Sequence, residues 1–264
     1  MRRRNRPSEV MAISEHELGA MTRDLHEMHN DVGLPAMSSA LAEWSEKSRT
    51  SRRGFLIGAG AVAGGAILAA CSSGSSSSSS STTTKSGPSG SSSSAKLTGD
   101  LAVAALAASL ENLAVAAYGD VLNAASAGRL GPVPPAVANF VTTVKSQHAQ
   151  HAQAWNSAIT GAGHPAITSP DPVLTPVITK DFSKVTDVTG AAKLALMLED
   201  VAAATYQSAI TAVRDTSSIK VAASIQPVEM QHAAILNFVL GAYPVPNAFS
   251  PTNIARPVTD YTKG

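Results

Sequence analysis

Two pairs of long segments carry small and aliphatic residues at the three- and four-residue spacing of an α-helix. In the first segment these residues form one stripe: Ala104, Ala107, Leu110, Ala114, Ala117 and Val121. Pro134 and Pro135 suit the first turn of the second segment, and Gly241 and Pro244 end the fourth. The pattern predicts helices over about residues 98–127, 134–160, 189–214 and 218–240.

The connections between these segments predict how the helices are arranged. Short loops join the first helix to the second and the third to the fourth, whereas residues 161–188 form a long crossover that contains prolines. Helices joined by short loops pack as antiparallel neighbours. The predicted fold class is therefore all-α: a four-helix bundle built from two antiparallel hairpins with a long crossover between them.

The two hairpins repeat one another in sequence. Residues 109–122 (SLENLAVAAYGDVL) and 197–210 (MLEDVAAATYQSAI) each have a Leu-Glu pair, with a tyrosine seven residues after the glutamate. Residues 146–159 (SQHAQHAQAWNSAI) and 227–240 (PVEMQHAAILNFVL) form a second matching pair. The offset is 88 residues for the first pair and 81 for the second, so the repeat unit is a helical pair whose connections differ in length.

Glutamate and histidine occupy equivalent positions of the repeat, within the apolar stripes. All three glutamates after residue 70 do so, as do three of the four histidines there. These residues are Glu111, His148, His151, Glu199, Glu229 and His232. By helical rise Glu111, His148 and His151 lie roughly 24 Å from the turn that joins their helices. The three residues of the second hairpin are approximately level by the same count, so all six lie near mid-bundle. Carboxylates in a core are costly unless they are paired or bind metal, so the pattern predicts a metal site, with a metal-free Glu/His network as the alternative.

This arrangement resembles the ferritin-like superfamily, in particular its exported ferritin-like and desiccation-related branch. In that family a Glu, a Glu-x-x-His, a Glu and a Glu-x-x-His on successive helices hold two iron or manganese ions. Glu111, His151, Glu199, Glu229 and His232 match this pattern, and the resemblance covers about residues 98–242. It implies metal binding in the bundle core and either ferrous oxidation or reaction with oxygen or peroxide, and thus a di-metal oxidoreductase. A non-catalytic envelope or stress-related bundle is the second hypothesis.

His148 departs from the family pattern, because it stands where the family has the bridging glutamate of the second helix. Three carboxylates leave two divalent ions with residual positive charge, and imidazole seldom bridges two ions. A mononuclear site, an asymmetric pair and a preference for zinc or manganese all stay open.

Tyr118 and Tyr206 lie two helical turns after Glu111 and Glu199 on the same faces. Their hydroxyls could hydrogen-bond a ligand carboxylate or take part in redox chemistry. The alternative is that they are ordinary core tyrosines.

An export signal is predicted upstream of the bundle, over residues 51–71. Arg52 and Arg53 precede an uncharged Gly/Ala-rich run, which is typical of twin-arginine secretion signals. The run ends in Leu-Ala-Ala-Cys, which resembles a lipobox and predicts acylation of Cys71. An uncleaved membrane helix is the alternative. Both place the following residues on the outer face of the cytoplasmic membrane, tethered to it, after contact with the twin-arginine export machinery.

The remaining regions and the composition complete the prediction. Residues 1–50 form a leader with one short helix, whose His16, His26 and His29 are expected on its polar face. Residues 72–96 are a Ser/Thr/Gly-rich disordered linker, 97–245 the bundle and 246–264 a tail. A net charge of +1 gives no argument for nucleic-acid binding, and a single cysteine excludes an intramolecular disulfide. Alanine-rich helix faces would permit a homodimer.

Overall fold

The structure, a computed structural model, describes residues 11–44, 46 and 97–261. The twin arginines, Cys71 and the Ser/Thr/Gly-rich linker lie outside the described residues. Within them every regular element is helical, in the order α1 (Glu15–Met28), a π-helical turn (His29–Gly33), α2 (residues 34–44), α3 (Asp100–Ser126), α4 (Pro135–Gly161), α5 (Leu174–Phe182), α6 (Val188–Ala212), α7 (Thr216–Val239) and α8 (Val258–Tyr261). The predicted all-α fold is confirmed.

Two antiparallel hairpins, α3 with α4 and α6 with α7, form the bundle. The predicted helix bounds agree with the observed ones to within about two residues, and side-chain caps set the starts of α6 and α7. Asp187 caps α6 by accepting a hydrogen bond from the Gly190 amide. Asp215 caps α7 in the same way. Gly241 follows α7 with a φ of 77°, in the left-handed region that only glycine adopts without strain.

The crossover contains a helix that was not predicted. Asp171 is buried and accepts hydrogen bonds from the amides of Val173 and Leu174, which starts α5. The Asp171 amide donates to the Ser109 carbonyl at 2.9 Å, and the Asp171 carboxylate lies 3.1 Å from the Arg256 guanidinium. These contacts tie both the crossover and the C-terminal tail to α3.

The N-terminal segment packs onto the bundle, mainly against α4 and α7. Leu18 and Leu25 of α1 are fully buried, and the Ala12 amide donates to the Val239 carbonyl at 3.0 Å. His16 and His26 are exposed as predicted, but the prediction for His29 is wrong. His29 is buried, with Nε2 at 2.7 Å from Oε1 of Gln150, because the face of α1 that continues into the π-helical turn covers α4.

Among the described helices, α3 is the one long and apolar enough to cross a membrane by length and composition, with a mean hydropathy of 1.6 over its best window. In this structure 67% of that window is buried inside the bundle. A central bundle helix has the same composition, since its neighbours cover it on several sides. The side chains that interrupt this apolar interior are therefore the informative ones.

Candidate metal centre

Each helix of the two hairpins contributes to one polar cluster in the bundle core. Every member is at most 2% exposed. The members are Glu111 on α3, His148 and His151 on α4, Glu199 on α6, and Glu229 and His232 on α7. The structure therefore brings together all six of the candidate ligands that the repeat singled out.

The cluster divides into two overlapping groups of possible ligands. One group is Glu111, His148, His151 and Glu229, and the other is His148, Glu199, Glu229 and His232. In each group the ligand atoms lie within 4.8 Å of one another. His148 and Glu229 belong to both groups, so they occupy the middle of the cluster. Buried carboxylate and imidazole donors at this spacing are compatible with a metal site.

His148 connects two glutamates through its two ring nitrogens. Its Nδ1 lies 2.7 Å from Oε2 of Glu111, and its Nε2 lies 3.2 Å from Oε1 of Glu199. These two carboxylates come from α3 and α6, so the imidazole spans the cluster between the two repeats. This contact explains how a histidine fits at a position where a bridging carboxylate was expected.

The other two histidines direct Nδ1 towards the carboxylates. Nδ1 of His151 lies 3.0 Å from Glu229 and 3.6 Å from Glu111. Nδ1 of His232 lies 3.1 Å from Glu199 and 3.5 Å from Glu229. Because both imidazoles point the same nitrogen inward, each leaves Nε2 for a partner outside the cluster.

The two tyrosines cross between the repeats. The Tyr118 hydroxyl on α3 donates a hydrogen bond to Glu199 on α6, and the Tyr206 hydroxyl on α6 donates one to Glu111 on α3. Both rings are buried. The sequence left open whether these tyrosines bond a ligand carboxylate or only fill the core. In the structure each of them contacts a candidate ligand carboxylate. Such contacts orient a carboxylate and hold its charge in place.

The charges of the cluster stabilise one another against burial. Burial by itself would lower the pKa of His148, but the Glu229 and Glu199 carboxylates outweigh it and hold that pKa well above its usual value. Burial also acts against His151, whose pKa the Glu111 and Glu229 carboxylates nevertheless raise to about 9. Conversely, His151 and His148 overcome the burial of Glu111 and lower its pKa to about 2. Without a metal the cluster is a set of ion pairs.

Gln147 is a site residue that the sequence reasoning missed. Its amide oxygen lies 2.7 Å from Nε2 of His232, and its amide nitrogen donates to the Leu25 carbonyl at 3.4 Å. The carbonyl of Leu25 thus fixes the orientation of the amide, which must accept the Nε2 proton of His232. Gln147 lies one turn before His151 on α4, and this shared helix face was the signal that could have identified it.

The surroundings of the Glu229 carboxylate indicate whether the cluster suits a cation. Both of its carboxylate oxygens are buried and have no hydrogen-bond partner within the described part of the chain. Tyrosine and histidine satisfy Glu111 and Glu199, but Glu229 relies on imidazoles that are close without being aligned for hydrogen bonds. A buried carboxylate without hydrogen bonds is costly. A cation held between the two ligand groups would remove that cost, so the residues present fit a metal.

The space beside the cluster is small. A cavity of about 20 Å³ adjoins Glu111, His148 and Glu199 and is otherwise lined largely by aliphatic side chains. This volume suits about one water-sized molecule. Any substrate that reaches these residues without rearrangement of the bundle must therefore be very small.

The fold and the cluster agree with a comparison with known families. A family model described as "Ferritin-like domain" matches residues 99–242. The chain belongs to the ferritin-like domain family. Comparison with curated proteins and with solved structures gives no significant match. The ferritin-like match covers α3 to α7 and thus every residue of the cluster.

Proposed function

We propose that this ferritin-like protein binds one or two transition-metal ions, iron or manganese, in the centre of the bundle and reacts there with oxygen or peroxide. The observation that carries the proposal is Glu229, a fully buried carboxylate that both ligand groups share and that has no hydrogen bond to any described residue. A bound iron or manganese ion would supply one-electron redox chemistry and a Lewis-acidic site.

Each residue of the chain has a role under this proposal. Glu111 and His151 would hold an ion on one side, and Glu199 and His232 on the other. Glu229 would be shared between the two sides. His148 would replace the second shared carboxylate, either as a ligand or as a hydrogen-bond donor to Glu111 and Glu199. Tyr118 and Tyr206 orient these two carboxylates, and the aliphatic lining of the small cavity excludes bulk water and larger molecules.

The first experiment counts ions per folded chain. The full chain is purified without chelators and analysed by metal mass spectrometry beside Glu229→Gln and the control Asp200→Asn, which removes a half-buried carboxylate next to Glu199 on the same helix. We expect one or two ions in the wild type and in Asp200→Asn, and a loss in Glu229→Gln. Ferrous oxidation and peroxide consumption are then measured on the loaded protein.

A second candidate function is a metal-free bundle of structural use in the cell envelope or under stress. The observation that favours it is the pairing of Glu111 and Glu199, each of which already has a tyrosine and His148 as partners. Such a network can persist without an ion. A folded wild-type protein that takes up no iron or manganese would establish this alternative and exclude the oxidoreductase.

We further propose that the protein is exported by the twin-arginine route and tethered to the outer face of the cytoplasmic membrane through Cys71. The sequence around residues 51–71 supports this proposal. The route carries folded proteins, so an ion could be inserted before export. Cell fractionation tests it: Arg52→Lys with Arg53→Lys should retain the protein in the cytoplasm, whereas Cys71→Ser should release it from the membrane if the lipid alone holds it. An unchanged location in both variants would refute the proposal.

A further inference from the structure

Both tryptophans of the chain lie on one side of the candidate metal centre, in a line that begins at Glu111. The chain has only these two, Trp44 on α2 and Trp155 on α4. Trp155 is fully buried, whereas Trp44 retains 8% exposure and stands at the outer end. The line therefore leads from the polar cluster towards the surface.

The members of this line are in direct contact. Trp155 donates a hydrogen bond from Nε1 to the Tyr206 hydroxyl at 2.8 Å, and the Tyr206 hydroxyl donates to Glu111. The rings of Trp155 and Tyr206 are stacked, with centroids 6.2 Å apart and 19° between their planes. The rings of Trp44 and Trp155 meet edge to face at 6.3 Å. Each aromatic ring therefore touches the next one directly, with no other residue between them.

The repeat shows that this line is particular to one half of the bundle. At the offset of 81 residues that relates α4 to α7, Trp155 corresponds to Leu236. Tyr118, the counterpart of Tyr206, accordingly faces an aliphatic cavity to which Leu236, Val121 and Val141 contribute. Both tyrosines reach a ligand carboxylate, but among the residues that the structure describes only Tyr206 has a tryptophan beyond it. A leucine at position 155 would be enough to fill the space, as Leu236 does at the equivalent position of the second repeat.

We infer that Tyr206, Trp155 and Trp44 form a path that carries single oxidising equivalents from the metal centre to the surface. The inference rests on the proposed reaction with oxygen or peroxide, which can leave an oxidant stronger than the next available electron donor. The path spares the ligands themselves from oxidation. It ends at Trp44, where an external reductant of the hydroquinone class can restore the protein. Because Trp44 precedes Cys71, the path is complete in the chain that retains its N-terminal segment.

The steps balance in electrons and protons. Tyr206 gives one electron to the oxidant at the centre and its hydroxyl proton to Glu111. Trp155 then gives an electron and its Nε1 proton to the Tyr206 oxygen along their hydrogen bond. Trp44 next gives an electron to Trp155 and its own Nε1 proton to solvent, while the proton on Glu111 returns through the Tyr206 hydroxyl to Nε1 of Trp155. A hydroquinone finally gives an electron and a proton to Trp44.

If the hydrogen bond from Trp155 only satisfied its buried indole, a radical formed on tryptophan would not pass to Tyr206. Pulse radiolysis with azidyl radicals tests for it in the metal-free full chain, because these radicals oxidise tryptophan selectively. The background is Cys71→Ser, which removes the competing thiol. We expect the tryptophanyl signal to decay at a rate independent of protein concentration while a tyrosyl signal grows at the same rate.

The variants identify the tyrosine and the route. Tyr206→Phe should lose the growing tyrosyl signal, whereas Tyr118→Phe should retain it as the matched control. Trp155→Phe should lose transfer from Trp44 to Tyr206, and circular dichroism checks its fold. If that variant does not fold, Trp44→Phe and Tyr206→Phe still decide the matter. Tyrosyl growth that persists in Tyr206→Phe would overturn the inference.

Metal-loaded protein treated with peroxide separates this inference from the proposed function. Freeze-quench spectroscopy should detect a tyrosyl radical in the wild type that Tyr206→Phe lacks, and hydroquinone should remove this radical much faster in the wild type than in Trp155→Phe. Peroxide consumption without any protein radical would refute the path and leave the proposed function intact. Failure to bind metal, with radical transfer preserved in the radiolysis experiment, would refute the proposed function alone.

Discussion

The amide oxygen of Gln147 lies 2.7 Å from Nε2 of His232, on the side of the imidazole that faces away from the candidate metal centre. This contact holds the Nε2 proton and leaves Nδ1 directed at Glu199 and Glu229. Since the Leu25 carbonyl fixes the amide of Gln147, the N-terminal segment takes part in orienting a candidate ligand.

Gln147→Leu should therefore weaken metal binding without unfolding the bundle. Loss of a hydrogen bond to a ligating histidine commonly costs about 10- to 100-fold in metal affinity. Competitive titration with a chelating dye measures the change. Gln153→Leu, an exposed substitution on the same helix, is the control and should leave affinity unchanged. Equal affinities in all three proteins would mean that Gln147 only fills space.

Metal affinity and metal-free stability should respond to pH in opposite directions. The pKa of His151 is raised to about 9, so this imidazole is protonated in the metal-free protein near neutral pH, and the neighbouring carboxylates shift the pKa values of His148 and His232 in the same direction. A cation must displace this proton, so its affinity should rise with pH towards about 9. The raised pKa of His151 also stabilises the metal-free fold. This contribution is complete when the pH is below the unfolded-state pKa near 6.5, and it is lost as the pH rises through about 9.

Manganese titrations and urea unfolding across this pH range measure the two trends. Proton release on metal binding, followed in buffers of different ionisation enthalpy, checks that imidazoles lose the protons. His164→Ala removes a histidine of the crossover outside the cluster and should change neither slope. Affinity that is independent of pH would show that the histidines are not ligands.

His148→Glu should move the centre towards two ions. The new carboxylate would stand between Glu111 and Glu199, giving the cluster four carboxylates and two imidazoles. In the metal-free state this change replaces an ion-pair partner by a like charge, so the free energy of unfolding should fall. With excess manganese, the number of bound ions should rise above that of the wild type. Thermal unfolding with and without metal, together with metal mass spectrometry, tests both effects.

The control for that substitution is His164→Glu, which makes the same change in charge away from the cluster. It should alter neither stoichiometry nor metal-free stability by a comparable amount. An unchanged number of ions in His148→Glu would mean that geometry, rather than the charge at position 148, limits occupancy.

The features that the sequence predicted are those that local rules and the repeat determine. The end of α7 at Gly241 is a local signal, and the repeat marks three positions in each of its two copies, which gives the six cluster residues. The features that it did not predict depend on contacts between distant residues. Gln147 meets Leu25 across 122 residues, and Asp171 meets Arg256 across 85. No periodicity in a single segment records such contacts, and the burial of His29 against Gln150 was missed for the same reason.

Docking of the N-terminal segment on α4 and α7 should contribute measurably to stability. Leu18 and Leu25 are fully buried against the bundle, so Leu25→Ala should lower the free energy of unfolding by about 2–5 kcal/mol. Met28→Ala, at an exposed position of the same helix, should have little effect.

Deletion of residues 1–46 should also speed hydrogen exchange around Gln147 and His151, because the cover over that part of α4 is lost. If export separates this segment from the bundle, the deleted form represents the exported state, and its metal affinity should fall as that of Gln147→Leu does. A deletion variant with wild-type stability and exchange would show that the segment does not dock in solution.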